Sequence, residues 1–449
     1  MIRRKVDSMI EHFYEAGNKA LLIDGARQVG KTYSIRSFGN KHFESFIEIN
    51  FIKTPEAVDI FKNAVDSDSI LLRLSVFTNK PLIKGKTLIF FDEVQKCPDI
   101  VTAIKFLVDE GSYRYILSGS LLGVELKGLS SAPVGYMDIE EMYPVDFEEF
   151  IDALGVSSRI VDMLRNCFNE RTKVDDVIHK RVMQLFRLYL VVGGMPAAVQ
   201  KYIDTHDLRE VMNEQLAILR LYKFDISQYD PDKKLYLDDI FDLIPSELNA
   251  KNKRFILKSL NENMKFSRYE NSFLWMSDAG VALPTYNVEE PVPPLKLSKQ
   301  RNLFKLFQND VGLLAAQYAD GLQLRILNGD SGINYGAIFE NYVAEELHAH
   351  GFDLYYFNSK RQGELDFIIE QGGHTQPIEV KSGKDYERHN ALSNVMSNTN
   401  YDIPLAYVLC NDNIKMDGKT LYMPIYMTMF IEHTKQGSMK YEVDLSGLQ

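Results

Sequence analysis

The octet Gly25-Ala-Arg-Gln-Val-Gly30-Lys31-Thr32 constrains this chain more than any other stretch. It fits the pattern G-x-x-x-x-G-K-[ST], the phosphate-binding P-loop. At average composition such a match arises by chance in roughly one or two chains in a hundred of this length, so its surroundings decide. The apolar run Ala20-Leu-Leu-Ile23 leads into it, and neither Pro nor Gly follows until Gly39. That is the strand, loop and helix start such a loop needs. Glycines let the backbone curl so that N–H groups converge on phosphate oxygens. The following helix adds the positive end of its dipole. Gly25, Gln28, Val29, Gly30, Lys31 and Thr32 are therefore the expected phosphate holders, with Lys31 at the β- and γ-phosphates and Thr32 a ligand of Mg²⁺.

A second run, Thr87-Leu-Ile-Phe-Phe91-Asp92-Glu93, ends in two carboxylates. Continuous apolar runs suit parallel strands covered on both faces, and an acid at the C-terminal end lands where open α/β sheets bind ligands. Asp92 is expected to hold Mg²⁺ and Glu93 to act as general base on the attacking water. A further strand over 113–118 ends at Ser118, a polar residue placed to feel the γ-phosphate; an ordinary strand-to-turn junction explains it equally well. Strands are expected at 20–23, 46–50, 87–91, 113–118 and 134–139, after a first helix over 1–18. Alternating strands and helices make a parallel sheet with helices on both faces.

At 449 residues the chain exceeds one ordinary core,. The expected division is 1–200 for the phosphate-binding α/β unit with a helical lid, 201–305 for a helical region, and 306–449 for a C-terminal α/β unit. From 142 to 230 the pattern is helical, broken at Gly193-Gly-Met-Pro196. Between 231 and 290 short helices give way to the extended Val281-Ala-Leu-Pro-Thr-Tyr286, compatible with a winged helix. Glu289-Glu-Pro-Val-Pro-Pro294 reads as a stiff linker. The longest nearly apolar stretch, Leu188 to Val199, is too short to span a bilayer, so no membrane partner is expected. Three scattered cysteines, Cys97, Cys167 and Cys410, fit a reducing, cytoplasmic setting,. His348-Ala-His350 reads as a surface helix end.

The net charge of −11 argues against broad nucleic-acid binding,. The stretch 251–305 departs from it, with ten Lys/Arg against five Asp/Glu, among them the aromatics Phe255, Phe266, Tyr269, Phe273 and Trp275. Such a stretch either contacts DNA or is a solvated helical surface.

Beyond 330 the pattern changes. In Gly336-Ala-Ile-Phe-Glu340-Asn-Tyr-Val-Ala-Glu-Glu-Leu347 the residues Glu340, Val343, Ala344 and Leu347 share one helical face, placing a carboxylate in an apolar stripe. Glu364-Leu-Asp366-Phe-Ile-Ile369, a Gly372-Gly373 turn and Pro377-Ile-Glu379-Val-Lys381 read as a hairpin with Asp366, Glu379 and Lys381 on one side. Two or three carboxylates, here Glu340, Asp366 and Glu379, can bind Mg²⁺. The metal activates water against a phosphodiester, while Lys381 adds charge toward the transition state. Alternating charges on a solvated strand give the same string.

Taken together, Leu22-Ile-Asp-Gly-Ala-Arg-Gln-Val-Gly-Lys-Thr32, Phe91-Asp-Glu-Val-Gln95, Leu117-Ser-Gly-Ser120, Gly193-Gly-Met-Pro196 and Phe339-Glu-Asn-Tyr342 resemble prokaryotic AAA+-type ATPases with a poorly defined C-terminal domain. The resemblance covers nearly the whole chain. It implies a P-loop NTPase core of AAA+ type, a helical or winged-helix-like middle, and a C-terminal domain similar to PD-(D/E)xK nucleases of the restriction-endonuclease type. ATP and Mg²⁺ are the implied cofactors. DNA, a protein partner or further copies of the chain are the implied partners. Where such proteins carry Gly-Arg after the last strand junction, this chain has Gly135-Tyr136, which points to slow hydrolysis. Two functions stand open: a Mg-ATPase controlling a DNA-directed nuclease, and a nucleotide-gated docking switch without cleavage.

Overall fold

The computed structural model describes residues 2–63, 66–120, 135–229, 234–250, 253–255, 270–319, 321–330, 333, 335–433 and 442–443. The first unit is built on five strands: β1 (Ala20–Asp24), β2 (Ser45–Asn50), β3 (Thr87–Asp92), β4 (Arg114–Ser118) and β5 (Met137–Glu141). They lie in the order β2-β3-β4-β1-β5, every neighbouring pair parallel. β4 thus separates the P-loop strand β1 from the acidic strand β3. Period-two alternation explains the continuous apolar runs. Leu21, Ile23, Leu88, Phe90 and Ile116 enter one core, while Leu22, Ile89, Phe91, Tyr115 and Leu117 enter the core on the other face. All six residues of β3 are buried. The helix expected over 1–18 runs Lys5–Ala16 and packs on the β1 side through Ile10.

Helices Phe147–Ala153, Asp176–Val192, Pro196–Thr205 and Leu208–Tyr229 follow. Asp146 caps the first by accepting from the Glu149 N–H while Glu149 reaches back to the Asp146 N–H, a reciprocal arrangement that satisfies two orphan donors. No single helix among the described residues is long and apolar enough to cross a membrane. The bent pair Asp176–Val192 with Pro196–Thr205 passes such a test on length and composition alone, and Phe186, Tyr189, Leu190 and Val192 are buried in the protein's largest core.

The second sheet has eight strands: β6 (Ala282–Val288), β7 (Lys299–Gln308), β8 (Tyr355–Ser359), β9 (Gly363–Gln371), β10 (His374–Val380), β11 (Ala406–Cys410), β12 (Lys415–Asp417) and β13 (Thr420–Pro424). Their order is β12-β13-β11-β10-β9-β8-β6-β7. This corrects two expectations. The extended segment at 281–286 is not the ribbon of a winged helix: β6 pairs in parallel with β8, Tyr286 opposite Tyr355. A boundary at 305/306 would cut through β7, and the proline-rich 289–294 connects β6 and β7 within one sheet rather than linking domains. The segment carrying Phe266 and Tyr269 lies outside the described residues. Helix Gly336–Ala349 packs against this sheet, every residue from Ala337 to Leu347 buried. One apolar core runs from Val145 and Phe186 through Phe339 and Tyr342 to Tyr426, so the helical middle and the C-terminal sheet share an interior. The His350 side chain is buried rather than set on the surface, bonded through Nδ1 to the Ile431 carbonyl at 2.8 Å.

Candidate functional site

The P-loop leaves β1 at its C-terminal end. Gly25, Gln28 and Gly30 take φ values of 128°, 69° and 101°, the left-handed region that curls the loop. Gly25 has a second reason to lack a side chain, since a Cβ there would stand 2.2 Å from the Met142 carbonyl oxygen. Helix Lys31–His42 starts at the end of the loop. The Lys31 ammonium donates to the Gly25 and Ala26 carbonyls, each at 2.7 Å, and burial pushes its pKa down to about 8.

Across the loop, Asp92 is buried at the end of β3. Its Oδ1 accepts from the Ser118 hydroxyl at 2.6 Å and its Oδ2 from the Asn50 amide at 2.7 Å. The Thr32 hydroxyl faces both oxygens at 3.3 Å. A hydroxyl and a carboxylate facing each other beside a phosphate loop suit a hard cation. Glu93 follows with φ 61°, a left-handed conformation that a side chain other than glycine rarely adopts,. Its carboxylate is held by the Gln95 amide at 2.5 Å and the Ser120 hydroxyl at 3.4 Å. Lys31, Thr32, Asp92, Glu93 and Ser120, with Arg36 and Gln200, line one cleft of about 590 Å³.

The sequence alone assigns no role to Asn50, Gln95 or Arg4. Asn50 ends β2 at the same sheet edge as Asp92, a position that could have been read as a ligand-edge residue. Arg4 is 7% exposed. It donates from Nη1 to the Val29 carbonyl at 2.9 Å, from Nη2 to the Tyr143 carbonyl at 2.8 Å and from Nε to Glu149 at 3.1 Å. Nothing in its local sequence signals these long-range bonds. Arg27, within the P-loop, is paired with Asp225 at 2.9 Å.

Tyr136 stands elsewhere. The Ala20 N–H donates to its carbonyl, so it lies at the N-terminal edge of the sheet, while the P-loop leaves the C-terminal edge. The five residues of β1 separate the two edges, about 16 Å of strand. An arginine at this position would not reach phosphates on its own P-loop, and the expectation of slow hydrolysis drawn from Tyr136 loses its basis within one chain.

These observations meet a family model. Residues 17–151 match the AAA domain. The first unit is an AAA-type P-loop domain by that match and by its sheet. Residues 183–324 and 335–428 match two domains of unknown function, DUF8612 and DUF4143. An uncharacterized protein of Methanocaldococcus jannaschii is 25% identical over 362 residues, covering 78% of this chain and 72% of that protein. Among solved structures, the Walker-type ATPase of Pyrococcus abyssi aligns with TM-score 0.41 at 15% identity, covering 71% of this chain and 96% of that one. The Aeropyrum pernix ORC1 protein in complex with DNA aligns with TM-score 0.30 at 12% identity, covering 73% and 94%.

Outside the AAA domain, the fold gathers Glu340, Asp366, Glu379 and Lys381. Glu379 pairs with Lys381 at 2.6 Å, and burial beside Asp366 pushes its carboxyl up to about 8. Asp366 accepts the Val380 N–H at 2.8 Å. The expected metal-binding arrangement differs in one respect: Glu340 is engaged by two lysines, Lys253 on Oε1 and Lys305 on Oε2. Among the described residues no group of three or more His, Cys, Asp and Glu has the geometry of a metal cage.

Proposed function

We propose that the protein is a Mg²⁺-dependent ATPase acting as a nucleotide-gated switch, its C-terminal part docking a protein or DNA partner. The Thr32–Asp92 pair facing the P-loop, with Glu93 beside it, carries this reading. Lys31 would exchange the Gly25 and Ala26 carbonyls for the β- and γ-phosphates. Thr32 and Asp92 would hold Mg²⁺, which neutralises developing charge on the phosphates. Ser118 and Asn50 fix the Asp92 carboxylate, and Glu93 orients and deprotonates the attacking water.

The output path rests on bonds that leave the AAA domain. Arg4 ties the Val29 carbonyl to Glu149. At the head of the same helix as Glu149, the Phe147 N–H donates to Glu346 at 2.7 Å. The Tyr222 hydroxyl donates to the Arg27 carbonyl at 3.1 Å and accepts from the Asn309 amide at 3.2 Å. A loop that changes shape around phosphates pulls on both connections, which is the differential contact a ligand needs to shift a conformational equilibrium.

ATP turnover with Mg²⁺, measured with and without double-stranded DNA, tests the reading. Turnover that rises with DNA supports a DNA-docking switch, and DNA-independent turnover points to a protein partner. Nucleotide binding with no turnover under either condition overturns the ATPase. A second reading, nuclease control, draws on the meeting of Asp366, Glu379 and Lys381; it requires metal-dependent nicking that Asp366→Ala abolishes.

Phosphate requires the charged form of Lys31. With a free-protein pKa near 8, ATP affinity is expected to fall above about pH 8, by up to tenfold per pH unit, and binding there takes up a proton. Calorimetry in buffers of different ionisation enthalpy reads both effects; constant affinity from about pH 7 to 9.5 would contradict them. The same burial has the opposite sign for folding. A lysine whose pKa is lowered below 10.5 destabilises the fold at pH values where it is charged, and that penalty fades as pH rises from about 8 to 10.5,.

A further inference from the structure

Lys305 lies within the apolar run Phe304-Lys305-Leu306-Phe307 of β7, and its side chain is 0% exposed. A buried ammonium persists only when paired. This one stands 2.9 Å from Glu364 Oε1, 3.5 Å from Glu340 Oε2 and 3.9 Å from Asp366 Oδ1, over the Tyr356 ring at 5.0 Å. Lys253 takes the other oxygen of Glu340. Two ammonium groups thus bring to this carboxylate centre the two positive charges that one divalent cation would bring.

We propose that Lys305, assisted by Lys253, is the resident cation of the C-terminal carboxylate centre. The centre then takes no divalent metal and performs no metal-dependent phosphodiester cleavage, and it becomes a divalent-cation site only when the Lys305 ammonium is removed. The ground is the positive charge already in place. A metal bound to Glu340 and Asp366 would sit within a few ångströms of that charge, where like charges repel strongly in a low-dielectric interior. The Lys305 side chain is fully buried, so moving its ammonium off the carboxylates would leave a buried charge without a partner, which is costly. Glu379, Asp366 and Lys381 are left as a polar network in a docking domain. The inference concerns a different centre from the nucleotide site and stands apart from the ATPase reading.

Mn²⁺ titration of the full-length, nucleotide-free protein, with free Mn²⁺ followed by electron paramagnetic resonance, tests it. Any Mn²⁺ held by Thr32 and Asp92 contributes equally to wild type and Asp366→Asn, so those two proteins should take up the same amount. Lys305→Met should gain one further Mn²⁺, lost again in the Lys305→Met/Asp366→Asn double variant. An Mn²⁺ bound by wild type and missing in Asp366→Asn would overturn the proposal. So would Mn²⁺-dependent nicking of supercoiled plasmid that Asp366→Asn abolishes, or a folded Lys305→Met that gains no site. If Lys305→Met fails to fold, the comparison of wild type with Asp366→Asn decides alone.

Discussion

Replacing Glu93 by Gln is expected to cut ATP turnover by about 10²- to 10⁴-fold, the range that a positioned general base supplies, while leaving ATP binding within about twofold. Phosphate release in the steady state reads the first effect and a fluorescent ATP analogue the second. The substitution isolates proton abstraction from geometry. A Gln carbonyl still accepts from the Gln95 amide that holds Glu93, and the left-handed backbone at this position strains Gln and Glu alike. The Asp92 cluster with Thr32, Ser118 and Asn50 stays intact. A loss of less than tenfold would mean that another group activates the water, and would take Glu93 out of the mechanism.

The second large effect concerns the joint between the two sheets. Gly194→Ala is expected to destabilise the protein by about 3 kcal/mol or more, at or above the usual cost of overpacking a core. A Cβ there would stand 2.0 Å from the Val145 carbonyl oxygen and 3.0 Å from the Tyr189 hydroxyl. Neither neighbour can yield cheaply. The Val145 N–H donates to the Gly194 carbonyl at 2.7 Å, Tyr189 donates to the Val145 carbonyl at 2.7 Å, and the Gly194 N–H donates to buried Asp310 at 2.5 Å. Displacing Gly194 strands several of these groups without partners. Urea unfolding reads the change, with Gly17→Ala as control, since nothing lies within 4 Å of that Cβ and a shift within about 0.5 kcal/mol is expected. A Gly194→Ala midpoint equal to wild type would mean that the Val145 loop gives way freely.

The AAA domain was legible because its signals are local. A glycine loop between an apolar run and a helix start, and a second apolar run closed by two acids, each announce themselves within a dozen residues. Asp92, Glu93, Ser118 and Thr32 could be located that way. Arg4 could not, because its partner Glu149 lies 145 residues away and a single arginine before a helix carries no pattern. The segment at 281–286 was misread for a related reason. Alternation reveals an extended strand but not its neighbour, and the parallel partner of β6 is a strand far along the chain. The carboxylate centre was half legible. Glu340, Asp366, Glu379 and Lys381 come from a helix face and a Gly-Gly hairpin, both readable. Lys305 comes from β7, at the edge of the sheet and not paired with the hairpin, and its charge looked like part of a basic surface.

The pairing of β6 with β8 sets a schedule for synthesis. Tyr286 and its partner Tyr355 leave a ribosome about 3–14 s apart at rates of 5–20 residues per second. In that interval β6 can close a hairpin with β7, but its other edge carries unpaired N–H and C=O groups, a template for pairing with another nascent chain. Helix Gly336–Ala349, which covers the sheet, also emerges within the wait. The growing chain therefore passes through a window of seconds in which one edge of β6 is bare, and crowded polysomes are where that edge can meet its copies.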